Sequence, residues 1–338
     1  MIRFNFVLLG VLIAGSAQGF DPSQQDDSRA LVRHFVEVEM PLEMPEDKGL
    51  LGEETGLTIS LMGGADVFRL QEFGYLEVLL QSSFPEKKLR VRNLAWSGDT
   101  VYRQQRPMFF YTKDGDSREG SVPDGREKLE PGIFILSFGK LESLDGLDRL
   151  SEFEAAYEQL IRGLQKFTKR LILVEPVPFA EVGPAKVLAR ERNAVLAKYA
   201  EGIGALAERN AVKFAEVPDL SDDDFGRTGI HLSASGFFHW SKAVSNAVGA
   251  RSGGESVGYP SKVPGFLVMS ILEKNRLWDQ YYRPTNWAFL YGDRQHVPSS
   301  RGHKDSNERW FIEELDRLPE LIEDKEEEIW NRAKEVAR

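Results

Sequence analysis

The chain has 338 residues, enough to bury a sizeable core as one large domain or as one domain with an appendage. Its formal net charge of -10 argues against a nucleic-acid-binding surface, because phosphate binding needs clustered Lys and Arg. The absence of cysteine excludes disulfides, a Cys nucleophile, thiolate metal sites and a lipid-modified cysteine.

The first residues have the pattern of a secretory signal peptide. Arg3 gives a weakly basic start, residues 4–15 are almost entirely apolar, and Ala17-Gln18-Gly19 supplies small residues for a signal peptidase. The apolar run is short for a bilayer span, although an uncleaved anchor is the alternative. We predict a signal peptide at 1–19, a secreted or periplasmic protein, and no membrane contact after cleavage.

Beyond the signal peptide, residues 20–56 are predicted to form a short helix (31–38) and a Pro- and Gly-containing loop. Short apolar runs then alternate with stretches of helical periodicity. The predicted strands are 57–62, 89–94, 133–138, 171–175 and 212–217, and the predicted helices are 66–83, 152–167, 185–210 and 233–248. A polar, Gly-rich segment at 111–130 is predicted to be an exposed insertion.

This alternation predicts an α/β fold with helices on both faces of a parallel sheet. We expect a three-layer α/β/α sandwich with a five-stranded, flavodoxin-like sheet over residues 57–250. Residues 251–264 predict a linker, and 265–338 a helical C-terminal extension with helices at 267–282 and 310–336. Five aromatic residues lie close together in the sequence of the extension: Trp278, Tyr281, Tyr282, Trp287 and Tyr291. They could form a sugar-stacking platform, but the favoured interpretation is a satellite core that attaches the extension to the main domain.

Four segments fall after predicted strands, where parallel α/β sheets bind their ligands. They are residues 63–66, 96–100, 139–142 and the segment around His231. The other histidines show no metal-ligand spacing, so we predict no metal site and no cofactor.

Three segments resemble the SGNH hydrolases, also called GDSL esterases. They are Phe73-Gly74-Tyr75-Leu76-Glu77, Asn93-Leu94-Ala95-Trp96-Ser97-Gly98-Asp99-Thr100 and Gly229-Ile230-His231-Leu232. The resemblance covers roughly residues 57–248 and is closest to a branch found in exported proteins of planctomycete- and verrucomicrobium-like bacteria. Residues 281–296 look like the C-terminal extension of that branch. The resemblance implies ester hydrolysis, in particular deacylation of carbohydrate.

The family combines a serine nucleophile, Gly and Asn donors to an oxyanion hole, and a His base oriented by an Asp three residues before it. Mapped by the resemblance, the nucleophile position is Ala65, the Asn position is Leu141 and the Asp position is Thr228. Gly98 and His231 are retained. The resemblance therefore implies that ordinary serine-esterase chemistry is lost.

We predict a catalytically impaired or ligand-binding member, with His231 as the remaining catalytic side chain. Its crevice would hold a small-molecule or carbohydrate ligand through Gly64, Ala65, Asp66, Ser97, Gly98 and Leu141. Whether the chain is an enzyme stays open at this point.

Two alternatives remain. An active hydrolase could use Ser97 as a displaced nucleophile, or water activated by Asp66 or Glu142. A scaffold could instead bind a protein partner through the C-terminal extension. Ser97 is also expected to hydrogen-bond its own loop, and Asp99 to cap a helix that starts near Val101.

Overall fold

A computed structural model describes residues 50–104, 131–250, 265–290 and 292–336. All of these residues belong to one compact unit. The predicted signal peptide, the helix at 31–38, the insertion at 111–130 and the linker at 251–264 lie outside the described residues. None of the described helices combines the length and the apolar character needed to cross a bilayer.

Five parallel strands form one sheet in the order β2-β1-β3-β4-β5. They are β1 (Thr58–Gly63), β2 (Arg90–Asn93), β3 (Pro131–Ser137), β4 (Leu171–Val174) and β5 (Lys213–Ala215). In the register, Ile59 of β1 lies between Val91 of β2 and Ile133 of β3. Strands β1 and β4 are buried along their whole length, as expected where helices cover both faces. The predicted α/β fold and five-stranded parallel sheet are confirmed.

Helices pack on both faces of the sheet. They are α1 (Ala65–Arg69), α2 (Tyr75–Ser83), α3 (Leu150–Leu164), α4 (Ala189–Arg209), α5 (Ala234–Val248), α6 (Gly265–Tyr282), α7 (Trp287–Leu290) and α8 (Trp310–Val336). Phe153 of α3 and Tyr199 of α4 share a buried cluster with Phe134 of β3. Tyr75 of α2 meets Phe238 of α5 edge to face, with ring centroids 5.7 Å apart. Burial of each large apolar side chain contributes about 1.5–3 kcal/mol.

The prediction of one continuous helix over residues 66–83 is wrong. Helix α1 ends at Arg69, a 3₁₀ turn follows at Leu70–Glu72, and α2 starts after Gly74. Gly74 has φ +69°, and a Cβ there would lie 3.0 Å from Ile271 Cγ2 of α6. Apolar residues on both sides of the break, including Val67, Leu70, Leu76 and Leu80, are buried, so helical periodicity alone does not reveal the break. The helix predicted at 185–210 likewise starts later, at Ala189.

Strand β2 lies at the edge of the described sheet, and the C-terminal extension covers that edge. Arg90 and Leu94 donate their N–H groups to the Leu57 and Leu61 carbonyls on the β1 side, so the residues that alternate with them, at 89, 91, 93 and 95, direct their carbonyls outward. Extension side chains donate to these carbonyls: Trp330 Nε1 to Leu89 (3.0 Å), Lys274 Nζ to Val91 (3.1 Å), Trp278 Nε1 to Asn93 (2.8 Å) and Arg283 Nε to Ala95 (3.2 Å). The extension thus satisfies backbone acceptors that an open edge would leave unpaired.

Two buried ion pairs join the extension to the sheet domain. Lys274 Nζ lies 2.6 Å from Glu77 Oε2, with side chains 0% and 3% exposed. Arg92 and Glu326 form a bidentate pair across the same interface. Removal of one partner from such a pair is destabilising, because the remaining charge would be buried without a counter-charge.

The aromatic residues of the extension contribute to its attachment. Trp278 and Tyr282 are stacked, with centroids 5.4 Å apart and planes inclined by 12°, and both are buried. Burial of both rings excludes the sugar-stacking platform for these two residues, since neither presents an open face. The two rings join the cluster that contains Phe134 and Phe153, so they extend the main core and do not form a satellite core. Tyr291 lies outside the described residues.

We expect Lys274→Met to lower the free energy of unfolding by about 3–5 kcal/mol, because Glu77 would remain buried without its cation. The measurement is urea denaturation followed by circular dichroism.

Lys198→Met is the matched control, since Lys198 pairs with Glu201 on the surface, where both side chains are more than half exposed. Loss of that pair costs about 0–1 kcal/mol. Equal effects of the two substitutions would contradict the assigned role of the buried pair.

Candidate functional site

A crevice of about 130 Å³ opens at the carboxyl ends of the strands. Six of the predicted site residues line it: Gly64, Ala65, Asp66, Ser97, Leu141 and His231. Gly98 and Thr228 do not line it. Phe138, Val177 and Phe179 give it apolar walls, which the sequence did not single out.

The turn between β1 and α1 depends on a glycine. A Cβ at Gly63 would lie 2.4 Å from the Ser137 carbonyl oxygen and 2.5 Å from Val67 Cγ2, so only glycine lets α1 fold back so closely. Ala65 then becomes the first residue of α1. Its backbone N–H has no intrahelical acceptor, because the first turn of a helix leaves such donors open. Ala65 thus retains a main-chain donor at the crevice although it lacks a hydroxyl.

His231 lies on a loop whose two ends are joined by backbone contacts. Phe225 and Leu232 form an isolated antiparallel bridge, and Gly226 N–H donates to the His231 carbonyl at 2.9 Å. Gly229, with φ +69°, lies so close to the neighbouring segment that a Cβ would be 2.4 Å from the Val182 carbonyl oxygen. These contacts fix the backbone that carries the histidine.

His231 has a carboxylate partner that the motif comparison did not reveal. Its Nδ1 lies 3.0 Å from Asp66 Oδ1, while Lys140 Nζ lies 3.0 Å from Asp66 Oδ2. Lys140 also donates to the Ile230 carbonyl, next to the histidine. His231 and Lys140, from two different loops, therefore share the carboxylate of Asp66 in α1.

Asp66 is held as the anion. Burial raises the pKa of its carboxyl, but the Lys140 ammonium and the His231 ring lower it more, so the pKa lies below its ordinary value. An ionised carboxylate can only accept a hydrogen bond, so His231 Nδ1 donates its N–H to Asp66, which leaves Nε2 as the acceptor whenever the ring is neutral. This is the arrangement of a general base.

Asp66 thus supplies what position 228 lacks. Thr228 is exposed, and its Oγ1 accepts from Ile230 N–H at 3.4 Å. With both oxygens of Asp66 engaged, orientation of His231 is the role that the geometry favours for this carboxylate over direct activation of water.

Glu142 joins two loops beneath the crevice. Its Oε1 accepts from Val101 N–H at 2.8 Å and its Oε2 from Gly139 N–H at 2.9 Å. Burial raises the pKa of this carboxyl, although the two backbone donors oppose the shift. Because each of its oxygens accepts from a main-chain donor, Glu142 holds the backbone at Val101 and Gly139 together.

The prediction that Asp99 caps a helix near Val101 is wrong. Residues 101–104 contain no helix, and Asp99 Oδ2 instead accepts from Trp96 N–H at 3.2 Å. Asp99 therefore bonds to the turn that precedes it.

The other predicted residues lie around the mouth. Ser97 and Gly98 are exposed, and Leu141 is 45% exposed. Within the described residues, no serine hydroxyl hydrogen-bonds to His231, and no group of three His, Asp or Glu side chains could hold a metal ion. Lys140 was missed because it lies between two family motif positions and has no counterpart among the family's functional residues.

No protein-family profile matches the sequence, and no curated protein matches it. Among solved structures, a catalytic mutant of an acetylxylan esterase from Geobacillus stearothermophilus aligns with a TM-score of 0.42 and 19% identity, covering 59% of this chain and 96% of its own. Another acetyl xylan esterase aligns with a TM-score of 0.43 and 17% identity, covering 57% of this chain and 100% of its own. An α/β hydrolase from the metagenome of Lake Arreo, Spain, aligns with a TM-score of 0.43 and 16% identity, covering 58% of this chain and 97% of its own.

We expect Asp66→Asn to disturb the protonation of His231, because an amide can turn a donor toward Nδ1 and so favour the opposite tautomer. The measurement is nitrogen-15 NMR of the imidazole. Asp148→Asn, at an exposed position, is the control. An unchanged His231 signal in Asp66→Asn would show that the two groups do not interact in solution.

Proposed function

We propose that this chain is a slow ester hydrolase that uses water in place of a serine nucleophile, with His231 as general base and Asp66 as its orienting anion. The observation that carries the proposal is the 3.0 Å contact between His231 Nδ1 and Asp66 Oδ1 inside the crevice. A His–carboxylate pair is the proton-transfer half of a hydrolytic triad, and it works on water as it does on a hydroxyl.

In this mechanism, water attacks the ester carbonyl carbon while His231 Nε2 accepts one of its protons. The carbonyl oxygen becomes an oxyanion and accepts from Ala65 N–H. Collapse of the intermediate breaks the bond to the leaving alcohol, which takes the proton from His231. The products are a carboxylic acid and an alcohol, and Asp66 stays ionised throughout.

The expected rate is modest. General-base catalysis contributes about 10²–10⁴-fold. Leucine at position 141 offers no side-chain donor, and loss of one oxyanion donor costs about 2.7–4 kcal/mol of transition-state stabilisation. The proposal is therefore an impaired hydrolase that forms no covalent acyl-enzyme.

The substrate class follows from motif resemblance and from the crevice. The SGNH-like segments make an acylated carbohydrate the first substrate to test. Phe138, Val177 and Phe179 form apolar walls around a cavity of about 130 Å³, which suits a small acyl group.

Binding without turnover is the second candidate. Ala65 cannot attack a carbonyl, and Leu141 places an apolar side chain where the family has a donor. These two substitutions favour a crevice that retains a carbohydrate ligand without cleaving it.

Turnover of short-chain aryl esters and acetylated xylan separates the two candidates. We expect slow hydrolysis that His231→Ala reduces about 10²–10⁴-fold, since the general base is lost. His303→Ala, at an exposed residue of the extension, should leave the rate unchanged. Absence of turnover in the wild-type protein, together with retained binding of xylan fragments, would favour the second candidate.

A fluorophosphonate probe distinguishes water from a serine nucleophile in the same preparation. Because no serine hydroxyl contacts His231 in the described part of the chain, we expect no covalent adduct. Mass-spectrometric mapping of an adduct to Ser97 would replace the water mechanism with the displaced-nucleophile alternative.

We also propose that the protein acts outside the cytoplasm, as residues 1–19 indicate. N-terminal sequencing of the protein recovered from a producing bacterium should begin at Phe20, whereas an intact leader would overturn export by signal cleavage. Binding of a protein partner by the extension stays a prediction.

A further inference from the structure

We infer that Arg283, in the C-terminal extension, is a positioning residue for the His231–Asp66 site. The inference rests on the proposed function in taking this pair as the working centre. Arg283 does not line the crevice; it acts through the backbone behind it.

The guanidinium of Arg283 lies where strand β2 becomes the loop toward the crevice. Nε donates to the Ala95 carbonyl at 3.2 Å, and Nη2 donates to the Asn93 carbonyl at 3.0 Å. Nη1 donates to Asp279 Oδ1 at 2.9 Å, which anchors the side chain to helix α6, one residue beyond its end. Arg283 is only 8% exposed, so these contacts are shielded from competing water.

Asn93 carries the contact onward to the helix that bears Asp66. Its Nδ2 donates to the Val67 carbonyl at 2.7 Å, and its Oδ1 accepts from Ala95 N–H at 3.0 Å. Val67 follows Asp66 directly in α1. Arg283, Asn93 and α1 therefore form a continuous hydrogen-bonded connection from the extension to the residue beside the site carboxylate.

Aromatic contacts fix the guanidinium plane. Its central carbon lies 5.1 Å from the centroid of Phe68, also in α1, and 5.5 Å from that of Trp96, in the crevice loop. The planar fork is required because it reaches two carbonyls while stacking on rings, which a lysine ammonium cannot do at once.

Arg283 differs in this respect from the other side chains that cover β2. Trp330 and Lys274 bond to the Leu89 and Val91 carbonyls, farther from the crevice. Arg283 alone among the edge-capping residues described above reaches Ala95, beyond the end of the strand. Its loss should therefore displace the site, in addition to any loss of stability.

The test compares Arg283→Met and Arg283→Lys with Arg309→Met in the full-length protein. Arg309 lies in the same extension and donates to the Leu290 carbonyl at 2.6 Å, within the extension itself. Three quantities are measured for each folded variant: the downfield imidazole N–H resonance of His231, kcat, and KM.

We expect Arg283→Met to shift or broaden the His231 resonance and to lower kcat about 10–100-fold with a smaller change in KM, since misplacement of about 1 Å costs such factors. Arg283→Lys should recover only part of the loss, and a low concentration of free guanidinium should partly restore Arg283→Met. Arg309→Met should match the wild-type protein in all three quantities.

A folded Arg283→Met protein with the wild-type resonance and kcat would overturn the inference. If that variant does not fold, Arg283→Lys decides, and wild-type values there would overturn it equally. The resonance keeps the test independent of turnover: if the wild-type protein hydrolyses no ester, the proposed function fails, while a shifted resonance still supports positioning by Arg283.

Discussion

The outward carbonyls of strand β2 are the constraint on which much of this structure depends. A sheet edge needs hydrogen-bond donors, and here they come from side chains of the C-terminal extension rather than from another strand. Side-chain donors must be kept in position by their own contacts. The buried Lys274–Glu77 pair and the stacked Trp278 and Tyr282 rings provide such contacts. The extension and the sheet belong to one compact unit, and removal of the extension would leave β2 carbonyls and buried charges without their partners.

The site lies at the carboxyl ends of the strands. Its chemistry depends on one shared anion, the carboxylate of Asp66. Asp66 meets His231 with one oxygen and Lys140 with the other. The two contacts have complementary consequences: the cation keeps the carboxylate ionised, and the carboxylate fixes the proton on His231 Nδ1. Removal of either contact would disturb the other, so these three residues are best regarded as a unit.

The positions that the SGNH resemblance maps have different surroundings in the structure. At position 228, where the resemblance implies a carboxylate, the chain has threonine, and His231 instead contacts Asp66 of helix α1. At position 65, where the resemblance implies a serine, the chain has alanine, which offers the crevice only its main-chain donor. A site that retains a base and a main-chain donor without a nucleophile is suited to water or to binding, and not to an acyl-enzyme.

The sequence by itself determined the α/β class, the five parallel strands and the segments that meet at their carboxyl ends, because apolar runs and periodicity are local properties. It also located Ala65, Asp66 and His231 as neighbours of one crevice. Only the tertiary structure decided that Asp66 partners His231, 165 residues away, and that the extension caps β2. Such pairings depend on register and on side-chain direction in three dimensions, and a residue's own flanking sequence carries no record of the group it will meet.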